Sequence, residues 1–230
     1  MKKQAGFTLI EMLVSMTLLS MVMLIATSAY SLFSERWNGR LGHFNQTLAT
    51  TKNLLLVQES LQSIIGYVVS DDNQSAKYYF EGNRNGFVAV TLRSMFNPSV
   101  AAVVRLKFEQ NDDFTFRLIY QESPMEDQML VQATQDLDFV HSVTLFESVK
   151  NAEFRYYGWP SLASKNWTPD FTSMQPPTKE WSSNYNSLEK NVFPNQVRVA
   201  FTISDKQYSL QSRLNKPIPA VLSNYANQQQ

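Results

Sequence analysis

The sequence contains no cysteine and only two histidines, His43 and His141. The lack of cysteine excludes disulfide bonds, a thiolate metal site and cysteine catalysis. So few histidines exclude a histidine-rich metal centre, although one histidine could still serve in a catalytic triad. Only seven glycines occur, and the chain has no P-loop, Rossmann glycine pattern, G-x-S-x-G elbow or HExxH helix. We therefore predict no enzymatic activity, no cofactor and no bound metal.

Neither sign of charge is in excess, because Lys and Arg total 20 and Asp and Glu total 20. A dedicated nucleic-acid-binding protein normally carries a basic excess, so we predict no nucleic-acid partner. The chain has 230 residues, of which 43% are hydrophobic, and this is enough to bury one globular core but not two large ones.

The apolar residues are concentrated near the N-terminus. Residues 12–33 contain no charge, proline or glycine. A helix of about 22 residues, rising about 1.5 Å per residue, reaches roughly 33 Å and can cross a hydrocarbon core of about 30 Å. We predict a membrane-spanning helix here, and a buried helix of a soluble protein is the alternative.

The charges that flank the apolar run bear on its orientation. Lys2 and Lys3 precede it, which favours a cytoplasmic N-terminus and an outward-facing C-terminal part. Arg36 and Arg40 follow it closely and weaken this asymmetry. A secretory signal cleaved within residues 26–29, where small side chains cluster, would show the same pattern and would release a soluble protein.

Glu11 argues against an ordinary secretory signal. An unpaired charge costs about 2.5–3.5 kcal/mol at the centre of a membrane span and less near its end, so a carboxylate at the mouth of the run needs a reason. Residues 6–11 read GFTLIE after a short basic leader. This pattern resembles the prepilin signal of type IV pilins and of type II secretion pseudopilins.

The resemblance implies how the N-terminus is processed and used. A membrane prepilin peptidase would cut between Gly6 and Phe7 and methylate the new terminus at Phe7. In a helical stack, Glu11 of one subunit would then pair with the ammonium of a neighbour's Phe7 and set the register. The alternative is that Glu11 only extends to the membrane interface on a single-pass anchor.

The span departs from major pilins of the family at two positions. Those pilins usually carry a glycine and a proline where this chain has Ser20 and Ser28. Without proline the helix should stay continuous, and we predict a minor, low-copy subunit.

Apolar residues continue beyond the span at helical spacing, from Trp37 to Val68, and Gly39 and Gly42 suggest a flexible joint. We predict an α+β protein in which one long N-terminal helix packs on a C-terminal antiparallel β-sheet domain, as in pilins. The proposed divisions are a leader at 1–6, a transmembrane half-helix at 7–33, an amphipathic half-helix at 34–69, a β-rich periplasmic domain at 70–215 and a flexible tail at 216–230.

The β-rich part shows short alternating segments separated by turn residues. Asn111, Asp112 and Asp113 read as a hairpin connection between two of them. The predicted strands cover residues 77–80, 86–92, 100–109, 114–121, 128–133, 142–149, 152–157, 196–203 and 207–213.

An insert between Tyr157 and Val192 is rich in aromatic residues. Aromatic side chains are frequent anchors of protein interfaces, so Trp159, Trp167 and Trp181 are candidate subunit contacts. The alternative is that they fold onto their own sheet and cap it.

The β-rich part also resembles J-type minor pseudopilins, through Phe80-Glu81-Gly82, residues 154–157 and Phe193-Pro194. This implies a subunit of the filament-tip complex that primes pseudopilus assembly in the inner membrane. Its partners would be I-type and K-type minor pseudopilins, the major pseudopilin, the prepilin peptidase and the inner-membrane assembly platform. W-type minor pilins, which serve pilus assembly, adhesion or DNA uptake, share similar features. A membrane-anchored periplasmic receptor or enzyme is a third alternative.

Overall fold

The computed structural model describes residues 8–168 and 176–214. The chain divides into two units, Met1–Lys52 and Asn53–Gln230. One long helix, α1 (Leu9–Gln62), begins in the first unit and ends in the second. Its backbone is helical through Gly39 and Gly42, and it is a single uninterrupted element, as the absence of proline predicts.

The N-terminal part of α1 is apolar and exposed. Leu9–Trp37 is long and apolar enough to cross a membrane, and none of its most apolar stretch is buried within the protein. Hydroxyl side chains in this stretch bond back to their own helix: Ser15, Thr17, Ser20 and Thr27 donate to carbonyls three or four residues earlier, at 2.7–2.8 Å. Their polar groups are thereby satisfied without water.

The helix ends at Gln62, before the predicted boundary at residue 69. Two short strands follow, β1 (Ile64–Ile65) and β2 (Val68–Ser70). Branched side chains at these positions favour extended backbone, and β1 gains a partner in the sheet because Ile64 pairs with Thr91. The spacing of Ile64 and Val68 predicted that the helix would continue through them. In the structure both side chains are buried, but they lie in strands.

The rest of the second unit is a large antiparallel sheet with short helices. Its strands lie in the order β10-β4-β5-β6-β7-β8-β11-β12, with β1 paired to β5 and β9 paired to β8, while β2 and β3 form a separate pair. The predicted α+β class is confirmed. The remaining elements are β3 (Ala76–Tyr78), β4 (Phe80–Asn83), β5 (Gly86–Thr91), β6 (Ala102–Gln110), β7 (Phe116–Pro124), β8 (His141–Gly158), α2 (Leu162–Lys165), β9 (Glu180–Ser182), β10 (Tyr185–Asn186), α3 (Ser187–Lys190), β11 (Gln196–Ile203) and β12 (Lys206–Arg213).

Strand β8 joins two strands that the sequence predicted separately. Its first half pairs with β7 as far as Val149, and its second half pairs with β11 from Lys150 onward. At the change of partner, Asn151 has a φ of 52°, a left-handed conformation that asparagine tolerates. The chain therefore bends at this point without leaving the sheet.

The sheet curls so that the β4–β5 turn meets the second half of β8. The Tyr156 hydroxyl lies 2.8 Å from the carbonyl oxygen of Asn83 and 2.7 Å from that of Gly86. Gly82 is required here because a Cβ would collide with the Tyr156 ring. The contact brings these two parts of the sheet together over the larger of its two buried apolar clusters, the one that contains Phe80, Phe154 and Tyr156.

The last turns of α1 contribute to that core. Val57 and Leu61 are fully buried and pack with residues of the sheet. The Asn53 amide also donates to the carbonyl of Leu145 on β8. The predicted packing of the helix on the sheet therefore involves residues 53–62 within the second unit.

The predicted strand at residues 128–133 is wrong. Leu130 is fully buried, as in a strand, but the segment forms only one isolated bridge, between Gln132 and Ser70. The Tyr67 hydroxyl donates to the Leu130 carbonyl at 2.9 Å. The segment is held by one buried side chain and individual hydrogen bonds, not by a ladder.

Glu122 is a fully buried carboxylate on β7. Its oxygens accept hydrogen bonds from the Ser94 hydroxyl, from the Met95 amide at 2.9 Å and from the Tyr120 hydroxyl at 2.7 Å. Burial, together with the neighbouring Glu122, raises the pKa of Tyr120, so this hydroxyl stays protonated and donates. None of the ion pairs in the described residues includes Glu122. Hydrogen bonds alone satisfy its oxygens and tie the loop after β5 to β7.

We predict that Glu122→Gln lowers the free energy of unfolding by about 2 kcal/mol, because the amide group would face donors where the carboxylate accepts. Thermal or urea denaturation measures this. Glu126→Gln is the matched control, since Glu126 is exposed and the same change there should stay within about 0.5 kcal/mol. Equal stability of the two variants would contradict the role assigned to the buried network.

Candidate functional site: the helix N-terminus and the tryptophan segment

The N-terminus of α1 carries a reciprocal cap. Oε2 of Glu11 accepts from the backbone amide of Thr8 at 3.0 Å and from its hydroxyl at 2.9 Å. The Glu11 amide in turn lies 3.4 Å from the Thr8 hydroxyl oxygen. This is the capping box, in which residues three apart satisfy each other's free groups at a helix start. Thr8 therefore sets where the helix begins.

The cap gives Glu11 a second role beside the predicted one. A carboxylate in the first helical turn also interacts favourably with the helix dipole. Of the two carboxylate oxygens of Glu11, Oε2 is the one that accepts hydrogen bonds from the described residues. Gly6 and Phe7, the predicted cleavage and methylation residues, lie outside the described residues.

Trp181 is half-buried on β9, which pairs with the end of β8. Its ring centre lies 5.3 Å from that of Tyr157 and 4.3 Å from the guanidinium carbon of Arg198 on β11. Arg198 is held in place because its Nε and Nη2 donate to the Gln211 side chain at 3.0 and 2.8 Å. Trp181 is thus packed against its own sheet.

The other two candidate tryptophans are also half-buried. The carbonyl of Trp159 accepts from the Tyr185 hydroxyl at 3.0 Å, and Lys179 Nζ lies 5.5 Å from its ring centre. Trp167 follows α2 and precedes residues 169–175, which lie outside the described residues. The contacts of Trp159 and Trp181 favour the capping alternative, and their role as subunit contacts stays a prediction.

Tyr156 and Tyr185, two buried residues near Trp159 and Trp181, donate hydrogen bonds from their hydroxyls and pack with their rings. Burial raises the pKa of Tyr185 to about 12 and raises that of Tyr156 well above its usual range. Both hydroxyls are therefore neutral near pH 7 and cannot act there as bases. Within residues 8–168 and 176–214, no three His, Asp or Glu side chains lie together as possible metal ligands.

Sequence reasoning missed two parts of this geometry. The Thr8 cap had a sequence signal, since a threonine three residues before a glutamate at the start of an apolar run is a capping pattern. The Arg198–Trp181 stack had none, because the two residues are far apart in the chain and meet only when β9 and β11 flank β8.

The comparisons with known proteins agree with the N-terminal assignment. Residues 1–27 match the family described as the prokaryotic N-terminal methylation motif. No curated protein matches the chain. The match covers the predicted leader and most of the apolar run, and it confirms the predicted prepilin-type signal of the pilin and pseudopilin class.

We predict that Trp181→Ala lowers the free energy of unfolding by about 2 kcal/mol, because it removes packing on Tyr157 and the stack with Arg198. Urea denaturation measures this, and Met129→Ala, at a residue 62% exposed, is the control with little expected change. If Trp181→Ala were as stable as the control, the intramolecular contacts would not explain why a tryptophan stands at this position.

Proposed function

We propose that this protein is a prepilin whose mature form is a non-catalytic subunit of a pilin-type filament. The observation that carries the proposal is the methylation motif at residues 1–27, continued without a charge by the apolar part of α1. Cleavage at Gly6 would remove the leader and keep the helix, so the protein would stay anchored in the inner membrane. Its β domain would lie in the periplasm and later at the filament tip.

We favour a minor, tip-located subunit of the J type, because residues of the β domain carry that resemblance. Phe80, Tyr156 and Phe193, which carry part of the J-type resemblance, pack together with ring centres 5.5 and 5.6 Å from that of Phe80. Gly82 lies against the same Tyr156 ring. These residues belong to the core, so the resemblance concerns the fold of the domain more directly than its partners.

The partners follow from that assignment. A J-type subunit would assemble with I-type and K-type minor pseudopilins and prime the major pseudopilin of a type II secretion system, after the prepilin peptidase and the inner-membrane platform have acted on it. A W-type minor pilin is the second candidate, because Ser20 and Ser28 fit a minor subunit of either system.

Glu11 would act in two successive interactions. In the single chain, Oε2 closes the cap with Thr8. In the filament, the carboxylate would also pair with the ammonium of a neighbour's Phe7, which offsets the cost of two charges in lipid. The cap would hold the carboxylate on one side of the helix before the neighbour arrives.

We expect the mature protein to begin at a methylated Phe7. N-terminal sequencing and intact mass of the protein isolated from membranes measure this. A start at Met1 would indicate a simple anchor, and a start near Tyr30 would indicate a secreted receptor or enzyme. Either result would overturn the prepilin proposal.

Two substitutions at Glu11 separate the cap from the charge pair. Glu11→Ala removes both, whereas Glu11→Gln keeps a capping side chain and removes the charge. We expect both variants to insert into the membrane and both to lose incorporation into filaments, measured by the amount in sheared filament fractions. Normal incorporation of Glu11→Gln would show that the cap, not the charge, is what assembly needs.

A further inference from the structure

Phe114 is the most unusual residue on the surface of the β domain. Its side chain is 82% exposed at the tip of the β6–β7 hairpin, and its φ is 62°. The left-handed conformation is unfavourable for an aromatic residue, and glycine or asparagine usually occupies such a turn position. Exposure of the ring is a second cost. Because so little of the ring is covered, packing within the domain offsets neither cost.

Hydrogen bonds hold the backbone of the turn that carries Phe114. Asn111 closes the turn by donating from its backbone amide to the Thr115 carbonyl at 2.8 Å and from its side chain to the Glu147 carbonyl at 2.8 Å. Asp113 accepts from the Thr115 amide at 3.0 Å and from its hydroxyl at 2.6 Å. These bonds, together with the positive charge of Lys150 in the same chain, lower the pKa of Asp113, and Asp112 is a second carboxyl group at the tip.

The surface beside the ring carries both apolar and charged side chains. Phe114 itself lines a depression of about 730 Å³, together with Phe116, Ala152 and Ala200, and the rest of the lining is polar or charged and includes Glu153. Two exposed cations, Arg84 and Lys150, also line it. Arg84 is 71% exposed and lies 3.7 Å from Glu153, so most of its guanidinium faces solvent.

We propose that this patch is a self-complementary docking surface for a second copy of the chain. In a two-fold contact, the Phe114 ring of each copy enters the depression of the other, and Asp112 of each copy faces Lys150 of the other. Symmetric contacts of this kind use the same patch on both subunits. Insertion of the tip into lipid is disfavoured because Asp112 and Asp113 would enter with the ring.

The contact does not depend on processing at Gly6, and it goes beyond the proposed filament role. Such a patch is small, so the association is weak in dilute solution. Two copies anchored in the same membrane have a high effective concentration, which favours pairing there.

The absence of cysteine from the chain allows a direct test with the full-length protein in membranes. Gln207→Cys, at an exposed residue that lines the depression and leaves Phe114, Asp112 and Lys150 unchanged, is compared with Asn73→Cys, which places a cysteine on an exposed turn of the same domain. After treatment with a short bis-maleimide, we expect several-fold more covalent dimer from the Gln207→Cys chain. Equal yields from the two chains, or a cross-link to a different protein, would overturn the proposal.

Charge reversal tests the pairing across the contact. Lys150→Glu, added to Gln207→Cys, should reduce the dimer to the level of the Asn73→Cys control, and adding Asp112→Lys should restore it. Failure of the restored pair to dimerise would contradict the assigned geometry. If the thiol of the Gln207→Cys chain were protected from a water-soluble maleimide without dimer, in vesicles of phosphatidylethanolamine and phosphatidylglycerol, the patch would be assigned to lipid instead.

Stability distinguishes a docking residue from a structural one. Phe114→Gly should raise the urea midpoint of unfolding, because glycine adopts the left-handed conformation without strain. The same substitution should remove the dimer, measured with Gln207→Cys in both backgrounds. A lower urea midpoint would show that the ring serves the fold of its own domain.

Discussion

The structure of the β domain depends on the burial of the end of α1 in the curled sheet. Val57 and Leu61 are the only part of the long helix that the core surrounds completely among the described residues, and Asn53 adds a hydrogen bond to β8. These contacts lie within one unit, whereas the apolar part of α1 is exposed over its whole length. The helix therefore has an exposed apolar part near its N-terminus and a part buried in the sheet near its C-terminus.

Much of this architecture could be predicted from the sequence. The uncharged run, Glu11 and the alternating strands depend on local patterns, which are visible in a single chain. The errors occurred where long-range pairing decides. Ile64 and Val68 have helical spacing but lie in strands, and Leu130 is buried without belonging to one. Two of the three partners of Glu122, Ser94 and Met95, lie in a loop 28 and 27 residues away in the chain, which no local pattern indicates.

The candidate site divides in the same way. The methylation motif is a local signal, and the comparisons found it where the residues predicted it. The contacts of Trp181 with Tyr157 and Arg198 form only in the folded sheet. At least part of the aromatic segment, which has the composition of an interface, therefore packs on its own domain. Phe114 shows the opposite case. Its sequence context reads as an ordinary hairpin turn, and only its conformation and exposure mark it as unusual.

The long strand β8 has a consequence for how the domain opens. Because its first half completes a ladder with β7 and its second half completes one with β11, the strands on its two sides share this one element. Loss of β8 from the sheet would therefore break the pairing on both sides at once, which couples the opening of one half of the domain to that of the other.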